Sequence, residues 1–298
     1  MKIIFGAGIA GLIWAHYHKD YFILTDQVGG QMASSFDLGP RYLHAKSPLI
    51  KCFLEELRIP FSERIIKVGY LDDSGWVSNP GLEFRQKYYM KSRKTNSLEG
   101  FDSSVMNTNL KEFPVFNIDF REVISRLSEE LSERIYLCKI KKVDLLKKQV
   151  HAKCFGNDTV FCYDSLVSTI PLNVFSKLSG LDLKLEAYDM TYWLVDSNFH
   201  DLLDFDFVYD IRSSSHYHRL TKCSQGIVLD EFGDQQQSDS YFSGAAHIKS
   251  NHVLKNSQII SLEKDFSLPD SSVRFVGRYS CWNRRWKTET VIEEALSE

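Results

Sequence analysis

Six residues near the start of the chain, Gly6-Ala7-Gly8-Ile9-Ala10-Gly11, have the spacing GxGxxG. Glycines so spaced do three jobs where a backbone meets a pyrophosphate. Gly6 permits a tight turn, Gly8 leaves no side chain in front of the phosphates, and Gly11 lets a helix pack close to a strand. Ile9 and Ala10 would offer first-turn N–H groups and the positive end of a helix dipole to phosphate oxygens. The chemistry implied is dinucleotide binding. An acidic residue about 20 positions further on takes the ribose hydroxyls in such sites. Asp26 is the candidate, with a surface-turn aspartate as the competing reading. Gly29-Gly30 is the only other adjacent glycine pair, and it opens no second GxGxxG. A separate nicotinamide-binding unit of this type is therefore not expected.

Three further groups carry reactive side chains. Arg41, Tyr42 and His44 form one. His216-Tyr217-His218-Arg219 forms another. On a strand, alternation sends His216 and His218 to one face and Tyr217 and Arg219 to the other. Histidine can act as a base or a hydrogen-bond donor, and arginine can hold an anionic group. Exposed edge-strand histidines are the alternative. Two histidines without a third ligand make a poor metal site, so no metal is expected. The third group is Arg278, Tyr279 and Trp282, in which Arg278 would neutralise a diphosphate. Separately, the run 85–94 places Lys87, Lys91, Arg93 and Lys94 around Tyr88 and Tyr89. It reads either as a solvated face or as a patch that grips a nucleotide-linked or nucleic-acid substrate by charge and stacking.

These residues need elements to hold them. Lys2-Ile3-Ile4-Phe5 is an apolar run of strand type, the glycine turn follows, and helical periodicity continues towards His18. A second apolar run, Tyr21-Phe22-Ile23-Leu24-Thr25, completes a βαβ unit. Helices are expected over 48–59, closed by Pro60, over 119–135, and over 288–296. Strands are expected over 135–143, 149–154, 159–163, 166–170, 192–195, 206–211, 218–221, 226–230 and 273–279. Residues 67–117 read as an irregular insertion covering a ligand, and 233–240 as a polar loop.

Composition sets outer bounds. The chain has 298 residues and a formal net charge of −3, so no global basic field favours nucleic acid or an anionic membrane. No stretch approaches the roughly 18 apolar residues of a membrane span, and no signal peptide is read at the start. The six cysteines form no CxxC pair, which suits reduced thiols in a cytoplasm.

The glycine fingerprint, the Gly29-Gly30-Gln31 turn and the stretch Phe36-Asp37-Leu38-Gly39-Pro40-Arg41 together resemble the FAD-binding half of the amine-oxidase and UDP-galactopyranose-mutase superfamily. The segments I-K-K-V-D, Y-D-S-L-V-S-T-I-P and V-G-R-Y-x-x-W add to the resemblance, which covers 1–60, 119–176 and 270–298. It implies an α/β fold, with a discontinuous Rossmann-like FAD-binding domain (1–66, 119–176, 268–298) and an inserted mixed α/β substrate domain (67–118, 177–267). It implies that Gly29, Gly30 and Gln31 lie along the FAD diphosphate and ribityl chain. Gly39, Pro40 and Arg41 would lie under the flavin, and Ile140 and Val143 would offer backbone to adenine. Thr169 would stand beside the diphosphate. Gly277, Arg278, Trp282 and Thr288 would hold the diphosphate and the pyrimidine edge. One departure is plain: only Gln27 and Val28 separate Asp26 from Gly29, where the family carries a longer spacer.

The function expected is an FAD-dependent oxidoreductase or lyase that oxidises a C–N bond by hydride transfer to flavin N5, followed by imine hydrolysis. His44 or His218 would orient the substrate, and Arg41 or Arg219 would hold an anionic group. Two alternatives stay open: a mutase-like isomerase using reduced flavin, and a flavoenzyme acting on a nucleic-acid base or nucleotide-linked amine. The expected partner is a small-molecule or nucleotide-linked substrate.

Overall fold

In chain order, the computed structural model has β1 (Lys2–Ala7), α1 (Ile9–Tyr17), β2 (Tyr21–Val28), β3 (Tyr42–His44), α2 (Pro48–Glu56), β4 (Phe61–Asp72), β5 (Gly75–Trp76), α3 (Leu82–Lys91), β6 (Glu112–Ile118) and α4 (Phe120–Glu130). Then come β7 (Ile135–Asp144), β8 (Gln149–Cys154), β9 (Asn157–Cys162), β10 (Ser165–Ser168), α5 (Leu172–Ser179), β11 (Leu185–Val195), β12 (Phe207–Asp210), β13 (Tyr217–Cys223), β14 (Gly226–Phe232), β15 (Ile248–Leu262), β16 (Val273–Phe275) and α6 (Thr288–Ser297). The structure describes residues 1–30, 42–92, 96–98, 101, 111–183, 185–196, 204–223, 226–232, 248–262, 270–281 and 287–298.

Two sheets organise the chain. The first has the order β16-β10-β1-β2-β7-β8-β9. Its first five strands run parallel, and β7, β8 and β9 form an antiparallel meander. The alternation of β1 explains the layers. Ile4 and Ala7 face α1, α2, α4 and α6, burying Leu12, Phe53, Val123, Leu127 and Ile292 in one cluster. Ile3 and Phe5 face the other way, towards Phe175 of α5 and Val143, Val150 and Ala152 of the meander. Each such side chain contributes about 1.5–3 kcal/mol when fully buried, so both faces of β1 are apolar, as a strand at the centre of a parallel sheet requires.

The second sheet has the order β15-β11-β14-β13-β12-β4-β6-β3, with β5 attached to β4. It is antiparallel except for the β12–β4 pair. Residues 42–44 and 61–66, read from sequence as part of the first unit, hydrogen-bond here.

Some sequence expectations shift. The described residues of 67–117 are largely regular, because they hold the end of β4, β5, α3 and β6. Pro114 hid β6; it lacks an N–H, yet it lies in register with Ile65 and its carbonyl accepts from Ala45. The helix expected over 48–59 stops at Glu56. Arg58 adopts a left-handed φ of 54°, and Ile59 N–H donates back to Leu54 O at 2.8 Å. The helix expected over 119–135 ends at Glu130 and passes through a 3-10 turn, Ser132–Arg134. The last strand is Val273–Phe275, shorter than expected. β15 was not anticipated, since it is a polar edge strand without clean alternation. The loop expected over 233–240 lies outside the described residues. Among the described residues, no helix is long and apolar enough to cross a membrane.

Candidate functional site

The site begins at the C-terminal end of β1. Gly6 has φ +93°, and a Cβ there would lie 3.0 Å from both Thr169 Oγ1 and Ile170 Cγ2. Gly11 sits where α1 crosses the turn, and a Cβ there would fall 2.0 Å from Gly6 O. Gly8 caps α1 without a side-chain hydrogen bond, and a Cβ on it would meet nothing within 4 Å. The space before the helix N-terminus is open. The first-turn N–H groups of an α-helix have no partner within it, so Ile9, Ala10 and Gly11 present theirs at this opening.

The second glycine pair closes against the first. Gly29 N–H donates to Ala7 O at 2.8 Å, and a Cβ on Gly30 would lie 3.2 Å from Gly8 Cα. This contact also accounts for the short spacer after Asp26. Between Phe5↔Leu24 and Ala7↔Val28, β2 carries two more residues than β1. Thr25 pins the resulting bulge: its Oγ1 accepts from Ala7 N and its hydroxyl donates to Gln27 O at 2.6 Å. Asp26 is exposed on this bulge.

Thr169 acts from the neighbouring strand. Its hydroxyl donates to Phe5 O at 2.6 Å, with Gly6 O at 3.1 Å. It holds the glycine turn from behind. Beyond β16, Gly277 (φ +92°) approaches α1 so closely that a Cβ would lie 3.0 Å from Ala10 Cβ. Val276 N–H donates to Ser168 O and Leu172 N–H to Tyr279 O. The Gly277-Arg278-Tyr279 turn is thereby wedged against the opening of α1. Arg278 lies over the Tyr279 ring at 5.7 Å, and its buried Nε has no hydrogen-bond partner among the described residues.

The first turn of α6 approaches from the same end. Thr288 is its first residue. Glu289 accepts from His44 N at 2.6 Å and lies 2.7 Å from His44 Nδ1. Burial opposes the charge of Glu289, but the His44 hydrogen bonds hold its carboxyl below the usual range. A carboxylate in a first helical turn is also favoured by the dipole. His44 stacks on Phe113 at 5.1 Å and meets Tyr42 edge-on at 5.6 Å.

The second sheet supplies Arg219. A bulge between Tyr217 and Arg219 breaks the register of β13 with β14. The expected alternation therefore fails. Tyr217 points into the cluster with Trp193 and Leu229. His218 turns towards Tyr88 at 5.8 Å, and Arg219 pairs with buried Asp230 and lies over Phe207. Burial pushes Asp230 up to about 6, against the pull of Arg219. Tyr192 and Tyr209 are raised by burial, and both feel Arg219. Burial pushes Tyr42 up to about 12; it feels Arg219 and Glu289. Tyr192 feels Arg278 and Tyr279 as well. These phenols stay neutral across ordinary pH, stand on β3, β11 and β12 of the second sheet and keep some accessible surface.

Of the residues singled out from sequence, Gly6, Gly8, Ile9, Ala10, Gly11, Gly29, Gly30, Thr169, Gly277 and Arg278 converge on the ends of β1 and α1, and Thr288 opens α6. His44 joins them through Glu289, and His218 and Arg219 stand on β13 of the same second sheet that holds His44 in β3. Ile140 lies in the β7–β8 ladder beside a register shift. Val143 lies opposite Val150 with its side chain in the core. Gln31, Gly39, Pro40, Arg41 and Trp282 lie outside the described residues. Among the described residues, no group of three or more His, Cys, Asp or Glu could hold a metal. The run 85–94 does not form an open stacking surface: Tyr88 and Tyr89 are buried, and Lys87 pairs with Glu83 at 2.8 Å. Lys91 donates to Arg212 O at 2.8 Å, and burial lowers it to about 8. Arg93 and Lys94 lie outside the described residues. Sequence reasoning missed Glu289, Asp230, Thr25, Tyr192 and Tyr209. Only Glu289 had a local signal, an acid in the first turn of a helix.

No protein-family model and no curated protein sequence matches the chain. Solved structures do. A reduced UDP-galactopyranose mutase matches with TM-score 0.68 at 12% identity, covering 99% of this chain and 92% of that one. A fatty acid isomerase from P. acnes that produces CLA matches with TM-score 0.64 at 13% identity, covering 99% and 97%. A putrescine oxidase bound to putrescine matches with TM-score 0.60 at 11% identity, covering 99% and 98%. The fold expected from the motifs, a Rossmann-like α/β unit with a second mixed unit inserted, is the fold these proteins share with this chain.

Proposed function

We propose that this chain is a flavoenzyme that binds FAD in the glycine cradle and oxidises a carbon next to nitrogen. One observation carries the reading. Open space before the Gly8 cap of α1 is bounded by Gly30 and by the Gly277-Arg278 turn, with the unpartnered Nε of Arg278 beside it. This donor set suits a diphosphate, because free N–H groups and a guanidinium both donate to phosphate oxygens.

When bound, FAD would supply a hydride acceptor at N5. The protein's share is placement. First-turn N–H groups of α1 and Arg278 would hold the diphosphate, while Ile140 would offer backbone to adenine and Asp26 would take the ribose. Thr288, at the start of α6, would help hold the flavin's pyrimidine edge. Glu289 orients His44, which positions the substrate. Arg219, held by Asp230, and His218 would meet it from β13 of the same sheet, and Arg41 would be the further arginine that holds its anionic group. Tyr42, Tyr192 and Tyr209 would shape the site and keep out water.

The visible spectrum of the purified protein, with the pigment released and identified, tests the cofactor. An anaerobic panel of amines and amino acids tests the reaction: one of them should bleach the bound flavin. A colourless protein that refuses added FAD sinks the reading. A second reading, an isomerase working with reduced flavin, is favoured by the half-buried Arg219 among the phenols of Tyr88, Tyr192 and Tyr209, suited to an anionic polyhydroxylated substrate. It predicts turnover only after chemical reduction.

A further inference from the structure

β7 and β8 carry Cys138 and Cys154 directly opposite each other in their antiparallel ladder. Opposed residues in such a ladder have Cα atoms about 4.5–5.5 Å apart. That falls within the roughly 4.4–6.8 Å a disulfide spans. Both cysteines are free, and directly opposed residues of an antiparallel pair put their side chains on the same face of the sheet. Both sit in the apolar cluster of Val143 and Val150, Cys138 buried within it and Cys154 half-buried at its edge. No other two cysteines are opposed in the described ladders: Cys162 faces Gln149 and Cys223 faces Gly226.

The position has a structural consequence. Cys138 follows Leu137, the last residue of β7 paired with β2. Leu137 pairs directly with Thr25 in the β2–β7 ladder. Thr25 in turn holds Ala7 of the glycine turn. A change at Cys138 therefore reaches the cradle through Leu137 and Thr25.

We propose that Cys138 and Cys154 form a peroxide-sensitive dithiol that closes reversibly to a cross-strand disulfide at the edge of the glycine cradle. Cys154 has the more accessible sulfur and takes an oxygen atom from a hydroperoxide, which leaves as the alcohol or, from hydrogen peroxide, as water. The Cys138 sulfur then attacks that sulfur. The S–S bond forms, the S–O bond breaks, and hydroxide leaves with the Cys138 proton as water. Two electrons pass from the two thiols to the O–O bond, and an external dithiol reverses the change. Burial pushes the Cys138 thiol up to about 12, which suits the resolving sulfur rather than the first to react. That the bond alters FAD affinity rests on the reading of the cradle given above.

The protein as purified, without added FAD, is treated with hydrogen peroxide, alkylated and digested without reductant. The expected result is a linked peptide joining residues 138 and 154, loss of two of the six thiols, and recovery of both with dithiothreitol. Cys154→Ser should remove the link and slow loss of the Cys138 thiol at least tenfold. Full alkylation of both cysteines after Cys52 and Cys162 have oxidised would overturn the proposal, as would equal loss of the Cys138 thiol in the variant. Oxidised and reduced forms are then compared for FAD affinity, with a severalfold difference expected. Equal affinity at full linkage would overturn the coupling to the cradle. No FAD binding by either form would overturn the cofactor reading and leave the linked-peptide result standing.

Discussion

At the scale of single residues, the glycines of the turn divide by what surrounds them. Gly8 faces open space and has an ordinary extended backbone, whereas Gly11 is hemmed in by Gly6 O. Gly8→Ala should leave thermal stability within a degree or two of wild type and lower FAD retention at least tenfold. Gly11→Ala should destabilise the protein by about 1–3 kcal/mol even without cofactor, because the added methyl forces α1 off the strand. Parallel thermal melts and FAD titrations separate the two. Glu289 makes a second residue-scale prediction. Its carboxyl is held below the usual range in the folded chain, so its contribution is complete above the unfolded value of about 4.3 and is lost as pH falls through the lower folded value. Denaturant melts should show wild type losing stability more steeply than Glu289→Gln below about pH 4.3. Parallel slopes would mean that His44 does not hold this carboxylate.

At the scale of elements, the helix starts and stops are chemical. Asp119 caps α4 by accepting from Arg121 N–H, and Ser47 caps α2 by accepting from Leu49 N–H. α2 ends through Arg58 in a left-handed conformation that glycine adopts more easily. Arg58→Gly should raise stability by about 0.5 kcal/mol, the relief of left-handed strain less the entropy of glycine in the unfolded chain. Urea titration checks it, and a loss of stability would show that Arg58's side chain matters more than its backbone. The bulges in β2 and β13 act at the same scale. Each changes which way side chains point beyond it. The β13 bulge turns His218 and Arg219 to the α3 side, against the alternation read from the sequence.

At the scale of the molecule, the second sheet sets Arg219 of β13 against Asp230 of β14, a half-buried guanidinium on a buried carboxylate. Asp230→Asn leaves a half-buried cation without its counter-charge and should cost about 1–3 kcal/mol. The double variant Arg219→Met, Asp230→Leu should recover most of that stability and no activity, since an apolar pair packs without holding an anion. Chemical denaturation beside a turnover assay gives both readouts. Recovery of activity in the double variant would remove Arg219 from the substrate's wall.

Residues 1–30 carried their meaning locally: the spacing of Gly6, Gly8 and Gly11 between two apolar runs is a short-range pattern, and it specified a βαβ unit with a tight glycine turn. The helices over α2, α4 and α6 were legible for the same reason, because 3.6-residue periodicity is written within one element. Pro114 and the mixed burial of β4 concealed the strands of residues 67–117, since a strand buried on both faces along part of its length shows no alternation. The partners in the site were decided by tertiary structure alone. Glu289 reaches His44 across 245 positions of sequence, and nothing local pairs Asp230 with Arg219. Such pairings depend on where the folded sheets place the two groups, and burial then makes a wrong or missing partner costly.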